Sequence, residues 1–343
     1  MAPCVPCTPS GRTPIFTATL FHGSLGLLLP APAVKPLLGI SLKVLSALAF
    51  TMMSAGLKLV SDRYPTGELV FFRSFCALIP LLAWLGWQGD LINSVRTRNL
   101  RGHILRGIIG STGMFAGFMA LSYLPLHDAI AIGYAAPLIT VALAALILKE
   151  VVRAYRWTAV LIGLVGVLIM LSPHLTTSAK QGFGSGPALG AAFAVLGAFC
   201  SAGATIQVRR LIREEKTGAV VLYFSLLSAA LGLATIVLGW NWPTATDLAL
   251  LVLIGILGGI GQILMTQSYR FADTSIIAPF EYTTMIWALV LGWFLFGDLP
   301  TPTVTLGGVI VAAAGLFVLW RERQLGLERA KEVETTSQRP AGG

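Results

Sequence analysis

The chain has 343 residues, of which 55% are hydrophobic and only 11% charged, with a formal net charge of +9 and a mean hydropathy of +0.79. Soluble domains carry charge on roughly a quarter of their residues, so the composition excludes a water-soluble globule and indicates a polytopic membrane protein. The basic excess does not point to nucleic acid, because most Lys and Arg lie in short loops between apolar segments, the distribution that orients helices in a bilayer.

Residues 1–34 surround a short apolar patch, Leu20 to Leu29, with Pro, Ser and Thr. A disordered leader is expected there, with a cleaved signal as the alternative. Cys4 and Cys7 form a C-x-x-C in this stretch, Cys76 and Cys200 fall inside predicted helices, and no histidine stands near to complete a zinc set. Neither a disulfide framework nor a metal or cofactor site is expected.

Ten predicted spans follow: Leu37 to Val60, Leu69 to Trp87, Leu105 to Leu124, Ala129 to Leu148, Trp157 to Leu171, Gly186 to Val208, Ala219 to Trp240, Leu248 to Tyr269, Thr274 to Phe296 and Val304 to Trp320. A hydrocarbon core of about 30 Å asks for about 20 helical residues. The first five spans make one domain over 35–175 and the second five another over 185–321. The charged residues 322–343 read as a disordered cytoplasmic tail. With the N-terminus placed inside, nineteen Lys and Arg fall on the cytoplasmic side and three, Lys58, Arg63 and Lys180, on the other, which predicts an N-in, C-in topology.

The two halves repeat one another. Gly107-Ile-Ile-Gly110-Ser-Thr-Gly113 returns as Gly255-Ile-Leu-Gly258-Gly-Ile-Gly261, Thr66-Gly67 as Thr217-Gly218, and Ser122-Tyr123 as Ser268-Tyr269, at separations of 146 to 151 residues. An odd number of spans per half makes the repeats inverted, the architecture of alternating-access carriers with a midplane site. The glycines read first as close helix packing, since Gly113 with Gly117 and Gly255 with Gly259 set small residues four apart.

The ninth span holds the sharpest functional pointer. Glu281 lies seven residues in, roughly 10 Å deep at helical rise, where a short acid cannot easily reach water. Pro279 beside it frees the carbonyl of Ser275, as Pro137 in the fourth span frees that of Gly133 next to Tyr134. The two prolines read as the paired irregular helices of a transporter's binding site, with simple kinks as the alternative. Arg73, in the second span, either snorkels to the outer headgroups or faces the pore; Glu68, about 140° off its helix face, does not neutralise it. Lys43 is within snorkelling reach of the cytoplasmic interface. Arg106, with Arg101, reads as a topology charge, and His127 and Asp128 as a solvated helix start.

Glu68-Leu-Val-Phe-Phe-Arg73, Ala136-Pro137 followed by Leu148-Lys149-Glu150, and Ala278-Pro279-Phe-Glu281-Tyr282 followed by Phe296-Gly297-Asp298, set in a twofold repeat of five spans, resemble the drug/metabolite transporter superfamily, in particular its EamA-domain branch. The resemblance covers about Leu37 to Trp320. It implies an all-α membrane fold, a bacterial inner-membrane location, a cavity lined mainly by spans 1, 3, 4, 6, 8 and 9, and carriage of small metabolites. Lys43 stands in the span where single-repeat multidrug relatives carry an essential glutamate, a departure from the proton-coupled drug-antiport pattern.

Within those spans, Phe115, Phe118, Tyr134, Phe280, Tyr282 and Trp287 leave room for a flat ligand, although packing is the ordinary role of each. Gln262, Thr283 and Thr284 suit hydrogen bonding to an amphipathic metabolite. Glu281 would bind a substrate ammonium or exchange a proton, or else form a fixed pair with Lys43, Arg73 or a freed amide. No nucleotide loop, H-E-x-x-H or paired carboxylate is present, so neither an enzyme nor an ATP-driven pump is expected. The favoured function is export of amino acids or related metabolites by a monomer or homodimer. Uptake of riboflavin or S-adenosylmethionine, drug efflux and a channel are the alternatives.

Overall fold

In a bilayer every backbone N–H and C=O must find its partner inside the segment, which leaves the helix as the solution for these apolar runs. A computed structural model describes residues 36–89, 91, 96–148, 154–181, 186–272 and 277–337, all within the unit Val34–Gly343. Among the described residues the structure is helical and contains no strand. The helices are α1 (Pro36–Val60), α2 (Thr66–Cys76), α3 (Leu78–Trp87), α4 (Leu100–Tyr123), α5 (Leu126–Gly133), α6 (Ala135–Leu148), α7 (Ala154–Gln181), α8 (Gly186–Glu214), α9 (Thr217–Ala234), α10 (Ala245–Phe271), α11 (Thr283–Phe296) and α12 (Pro302–Ser337). Short 3-10 turns, Thr235–Leu238 and Ala278–Tyr282, extend α9 and precede α11. Among the described residues, six helical segments are long and apolar enough to cross a membrane, and Trp157–Ser172, Phe280–Phe296 and Pro302–Val318 are shorter apolar helices.

Three boundaries differ from the sequence expectation. The second span is broken at Ala77 between α2 and α3. Pro80, lacking an N–H, leaves the Cys76 carbonyl unpaired, as Pro137 does for Gly133 at the break between α5 and α6. The fifth span runs to Gln181 rather than Leu171. The last helix continues to Ser337, because the polar segment after Trp320 is rich in Leu, Glu, Arg and Lys, good helix formers once a preceding helix supplies the nucleus. The expected disordered tail is therefore helical as far as Ser337. The leader over 1–34, the Lys149-Glu150 turn and residues 274–276 of the ninth span lie outside the described residues.

The helices pair in a regular scheme: α1 against α10, α4 against α8, α2 against α9, and α7 against α12. Glycines permit the closest approaches. A Cβ on Gly255 would meet Cys76 and the Phe72 carbonyl of α2, one on Gly259 the Ala77 carbonyl, and Gly166 of α7 lies against Gly307 of α12. The main apolar core gathers Met53, Leu57, Leu69, Phe118, Leu126, Leu251 and Ile254 from five helices, with Phe115 packed against it.

Two polar clasps close the ends of these pairs. At the end of α1, Tyr64 Oη donates to Asp247 Oδ2 at 2.8 Å and Arg63 Nη1 donates to both Asp247 oxygens at 2.9 Å, tying the α1–α2 loop to the start of α10. At the end of α8, Glu215 Oε1 accepts from Thr97 Oγ1 at 2.7 Å, Arg98 N at 2.9 Å and Asn99 N at 3.1 Å, tying the α8–α9 loop to the start of α4. Lys58 Nζ donates to the Leu121 and Leu124 carbonyls, so the end of α1 lies at the end of α4 and the two clasps occupy opposite ends of the bundle.

Candidate functional site

The breaks in the helices and the cavity between them coincide. A lobe of about 220 Å³ is lined by Phe50 and Thr51 of α1, Gly133, Tyr134 and Pro137 at the α5–α6 break, Ser201 of α8, and Glu281 and Thr284 beside the 3-10 turn. A second lobe of about 310 Å³ shares Phe50, Ser201 and Glu281 and adds Met53, Arg73, Arg106, Phe118, Phe224, Gln262 and Tyr269 among its walls. Their combined size suits a small metabolite, and every helix from α1 to α10 except α3 and α7 reaches the wall of one lobe or the other, α6 through Ala136 and Pro137.

Glu281 stands where the lobes meet. Its Oε2 lies 3.1 Å from Lys43 Nζ, and its side chain is 43% exposed, into the cavity, whereas that of Lys43 is 5% exposed. Lys43 Nζ also lies 5.5 Å above the Tyr269 ring. Lys43 is therefore a buried, paired cation and does not snorkel to the interface. The helix phase turns it inward against α10, where Gly39 one turn earlier touches Ala272. Of the partners weighed for Glu281, the structure selects Lys43, yet leaves half of the carboxylate open to a ligand.

The freed backbone is stitched by side chains. Tyr134 Oη lies 2.5 Å from Thr284 Oγ1 and 3.3 Å from the Tyr282 carbonyl, and Thr283 and Thr284 donate back to the carbonyls of Phe280 and Glu281. Tyr282 packs its ring against Tyr134 and reaches Gly315 of α12, its hydroxyl buried without a partner among the described residues.

The remaining expected site residues divide. Gln262 is buried on the wall of the larger lobe with Nε2 unpaired, and Arg73 lines the same lobe. Pro279 lies in the 3-10 turn. Phe115 packs into the apolar core and Trp287 stays partly exposed on α11, neither on a cavity wall described above.

The position of Arg106 near Arg101 suggests a topology charge, but it is 5% exposed and lines the cavity. Gly110, one turn on, is the sequence signal for this, since any Cβ there would collide with the Arg106 guanidinium. His127 and Asp128 are likewise buried, with His127 Nε2 3.1 Å from Asp128 Oδ1, because α11 covers that helix start and Gly292 lies beside the imidazole. Glu68 is turned away from Arg73 and accepts from Asn241 N at 3.1 Å. Among the described residues no group of three or more His, Cys, Asp or Glu is placed to hold a metal ion.

Comparison with known proteins gives this geometry a context. A model described as the EamA-like transporter family matches residues 37–172 and 188–320. An S-adenosylmethionine uptake transporter of Rickettsia bellii is 28% identical over 82% of this chain and 92% of its own length. An uncharacterized transporter of Helicobacter pylori is 30% identical over 82% of this chain and 94% of its own. The pseudopaline exporter CntI of Pseudomonas aeruginosa is 27% identical over 80% and 94%. A solved crystal structure that is 19% identical superposes with a TM-score of 0.60 over 84% of this chain and 98% of that one, a likeness of fold alone.

Proposed function

The chain belongs to the EamA-like transporter family and spans a membrane with several helices, and from that premise we propose that it is a secondary carrier of small amino-acid-type metabolites working by alternating access. The observation that carries this reading is the cavity around Glu281, whose walls come from both halves of the chain. Such a cavity between structural repeats, bordered by interrupted helices, is where family-independent physics places a carrier's substrate.

The reading takes the fold as ten spans in two inverted halves with both termini cytoplasmic, in a bacterial inner membrane. It is supported by the pairing of the helices. Exchanging the halves turns the α1–α10 contact into the α8–α4 contact and maps α2–α9 and α7–α12 each onto itself, as a twofold axis between the halves requires. The orientation rests on the Lys and Arg asymmetry of the loops.

Glu281, half open beside Lys43, is the group for a substrate ammonium or for a coupled proton. S-adenosylmethionine, named for one relative, itself bears an α-amino-acid head, which agrees with that class of cargo. The named relatives include both an uptake transporter and an exporter, so direction is left to measurement. Purified protein in liposomes should show saturable uptake and counterflow of radiolabelled amino acids or S-adenosylmethionine without nucleotide. An absolute need for ATP, or flux that neither saturates nor exchanges, would replace the carrier by a pump or a channel. Glu281→Gln, which keeps shape but removes charge, should impair transport, and loss of its pH dependence alone would identify the proton role.

A further inference from the structure

Among the described residues, Arg73 of α2 and Arg106 of α4 have no counter-ion. They are 3% and 5% exposed, and Nε and Nη1 of both are buried with no hydrogen-bond partner among the described residues. The cavity acid does not serve them, since Glu281 Oε2 is held by Lys43. What the two guanidinium groups share is the ring of Phe224, whose centroid lies 5.6 Å from the Arg73 Cζ and 4.0 Å from the Arg106 Cζ. A ring face offsets only a fraction of the cost of taking a guanidinium out of water, and two like charges over one ring also repel.

The space they occupy is built for them. Gly110 leaves room for the Arg106 guanidinium, and a Cβ on its repeat counterpart Gly258 would meet Arg73 Nε at 2.9 Å. Both arginines line the larger lobe, as Glu281 does. Planar forks with free N–H donors, close together and dry, match an oxyanion that offers two acceptor atoms. A buried charge left unpaired is tolerated where its partner is a visitor.

We propose that Arg73 and Arg106 form the subsite that receives the carboxylate of the transported solute, an extension that rests on the carrier reading. The solute is then a small amino acid or amino-acid derivative with a free carboxylate. Neutral amides and decarboxylated amines of the same shape are poor cargo.

The test uses the full chain in detergent, melted with L-methionine or S-adenosylmethionine, with L-methioninamide or decarboxylated S-adenosylmethionine, and with sodium chloride. At least one carboxylate-bearing probe should raise the melting temperature while its amide or amine does not. Arg73→Gln and Arg106→Gln should each raise the half-saturating concentration of that probe at least tenfold, and Arg73→Lys, which keeps charge but loses the fork, should fall between. Without solute, Arg106→Gln should melt no lower than the parent, because no bonded partner is lost.

The proposal is overturned if the amide or amine stabilises equally, if both Gln variants keep the parent's half-saturation, or if no carboxylate probe stabilises the protein. It is also overturned if chloride gives the full shift and carboxylates do not compete with it, which would make the site one for an inorganic anion. A solute-free melt of Arg106→Gln far below the parent would make the arginine structural. Counterflow in liposomes separates this from the carrier reading. Counterflow that survives both Gln variants retains the carrier and discards the subsite, whereas carboxylate-dependent binding with unsaturable flux discards the carrier alone.

Discussion

Tyr134 and Tyr282 stand 148 residues apart in the chain, and their rings meet with centroids 5.0 Å apart and 58° between the planes. Each marks the irregular point of its span: Tyr134 closes α5 before α6 begins, and Tyr282 ends the 3-10 turn before α11. Counterparts in the two repeats thus touch one another, with the Tyr134 hydroxyl bridging to Thr284.

Tyr134→Phe keeps the ring contact and removes the bridge. Loss of one buried hydrogen bond should cost about 1 kcal/mol, with a drop in melting temperature of about 2 °C. Transport should fall more steeply than stability, because the bridge fixes the backbone around Glu281. Equal transport by Tyr134→Phe and the parent in counterflow would show that this bridge does not position the site.

The Lys43–Glu281 pair lends itself to a double-mutant cycle. Glu281→Gln leaves a lysine of 5% side-chain exposure without its acid, while the acid's own 43% exposure moderates the loss, giving about 2 kcal/mol. Lys43→Met together with Glu281→Gln should recover most of that stability but not transport. Chemical denaturation of the four proteins gives the coupling, and a value within about 0.3 kcal/mol of zero would mean that the pair does not couple.

Acid should open one clasp before the other. Burial acts to raise the Glu215 carboxyl, but the Thr97 hydroxyl, the Arg98 and Asn99 amides and nearby His103 outweigh it and hold the group below the usual carboxylate range. Its contribution is therefore complete above the ordinary glutamate range and disappears as pH falls through the depressed folded value. At Tyr64 the sign is opposite. Burial first, then the bond to Asp247, raises the phenol, so that contribution holds below about pH 10 and fades as pH rises through the raised folded value. The Arg98 and Asn99 amides should lose protection from hydrogen exchange, relative to their intrinsic rates, at low pH in the parent and at all pH values in Glu215→Gln. Protection that ignores both pH and the substitution would contradict the clasp.

Two repeat glycines on α10 should respond differently to one methyl group. Gly255→Ala drives a Cβ against the Phe72 carbonyl and Cys76, backbone and short side chain that cannot retreat, and should cost about 2 kcal/mol or more. At Gly258 the neighbours are the ends of Met53 and Arg73, which can move, so Gly258→Ala should leave the melting temperature within about 2 °C while weakening solute binding. Similar melting temperatures for the two variants would refute the distinction.

Some of this was legible in one dimension. Apolar length and the recurrence of Thr-Gly and Gly-x-x-Gly give the order of the spans, and Pro137 announces the break at Tyr134 because a missing N–H acts locally. Pro80 acts in the same way for Ala77, but it sits inside a uniformly apolar run that hides the break. Rotational phase is what the chain hides. A span apolar on every side has no moment to say which face looks inward, so Arg101 and Arg106 look alike in sequence although one lies exposed at the helix start and the other under Phe224. The Lys43–Glu281 contact depends on the phases of two helices from different halves, and nothing near either residue encodes it.

Among the described residues, the cavity lobes are lined by one carboxylate, Glu281, against Arg73 and Arg106 on the wall and Lys43 paired to that acid. A charge carried across the whole of a 100 mV potential changes its energy by about 2.3 kcal/mol. Any rearrangement that shifts the voltage drop from one side of these groups to the other therefore performs electrical work even with the cavity empty. Under the proposed alternating access, membrane voltage would set a resting bias between conformers of the unloaded protein, and a cargo bringing negative charge into the cavity would reduce that bias by the amount it neutralises.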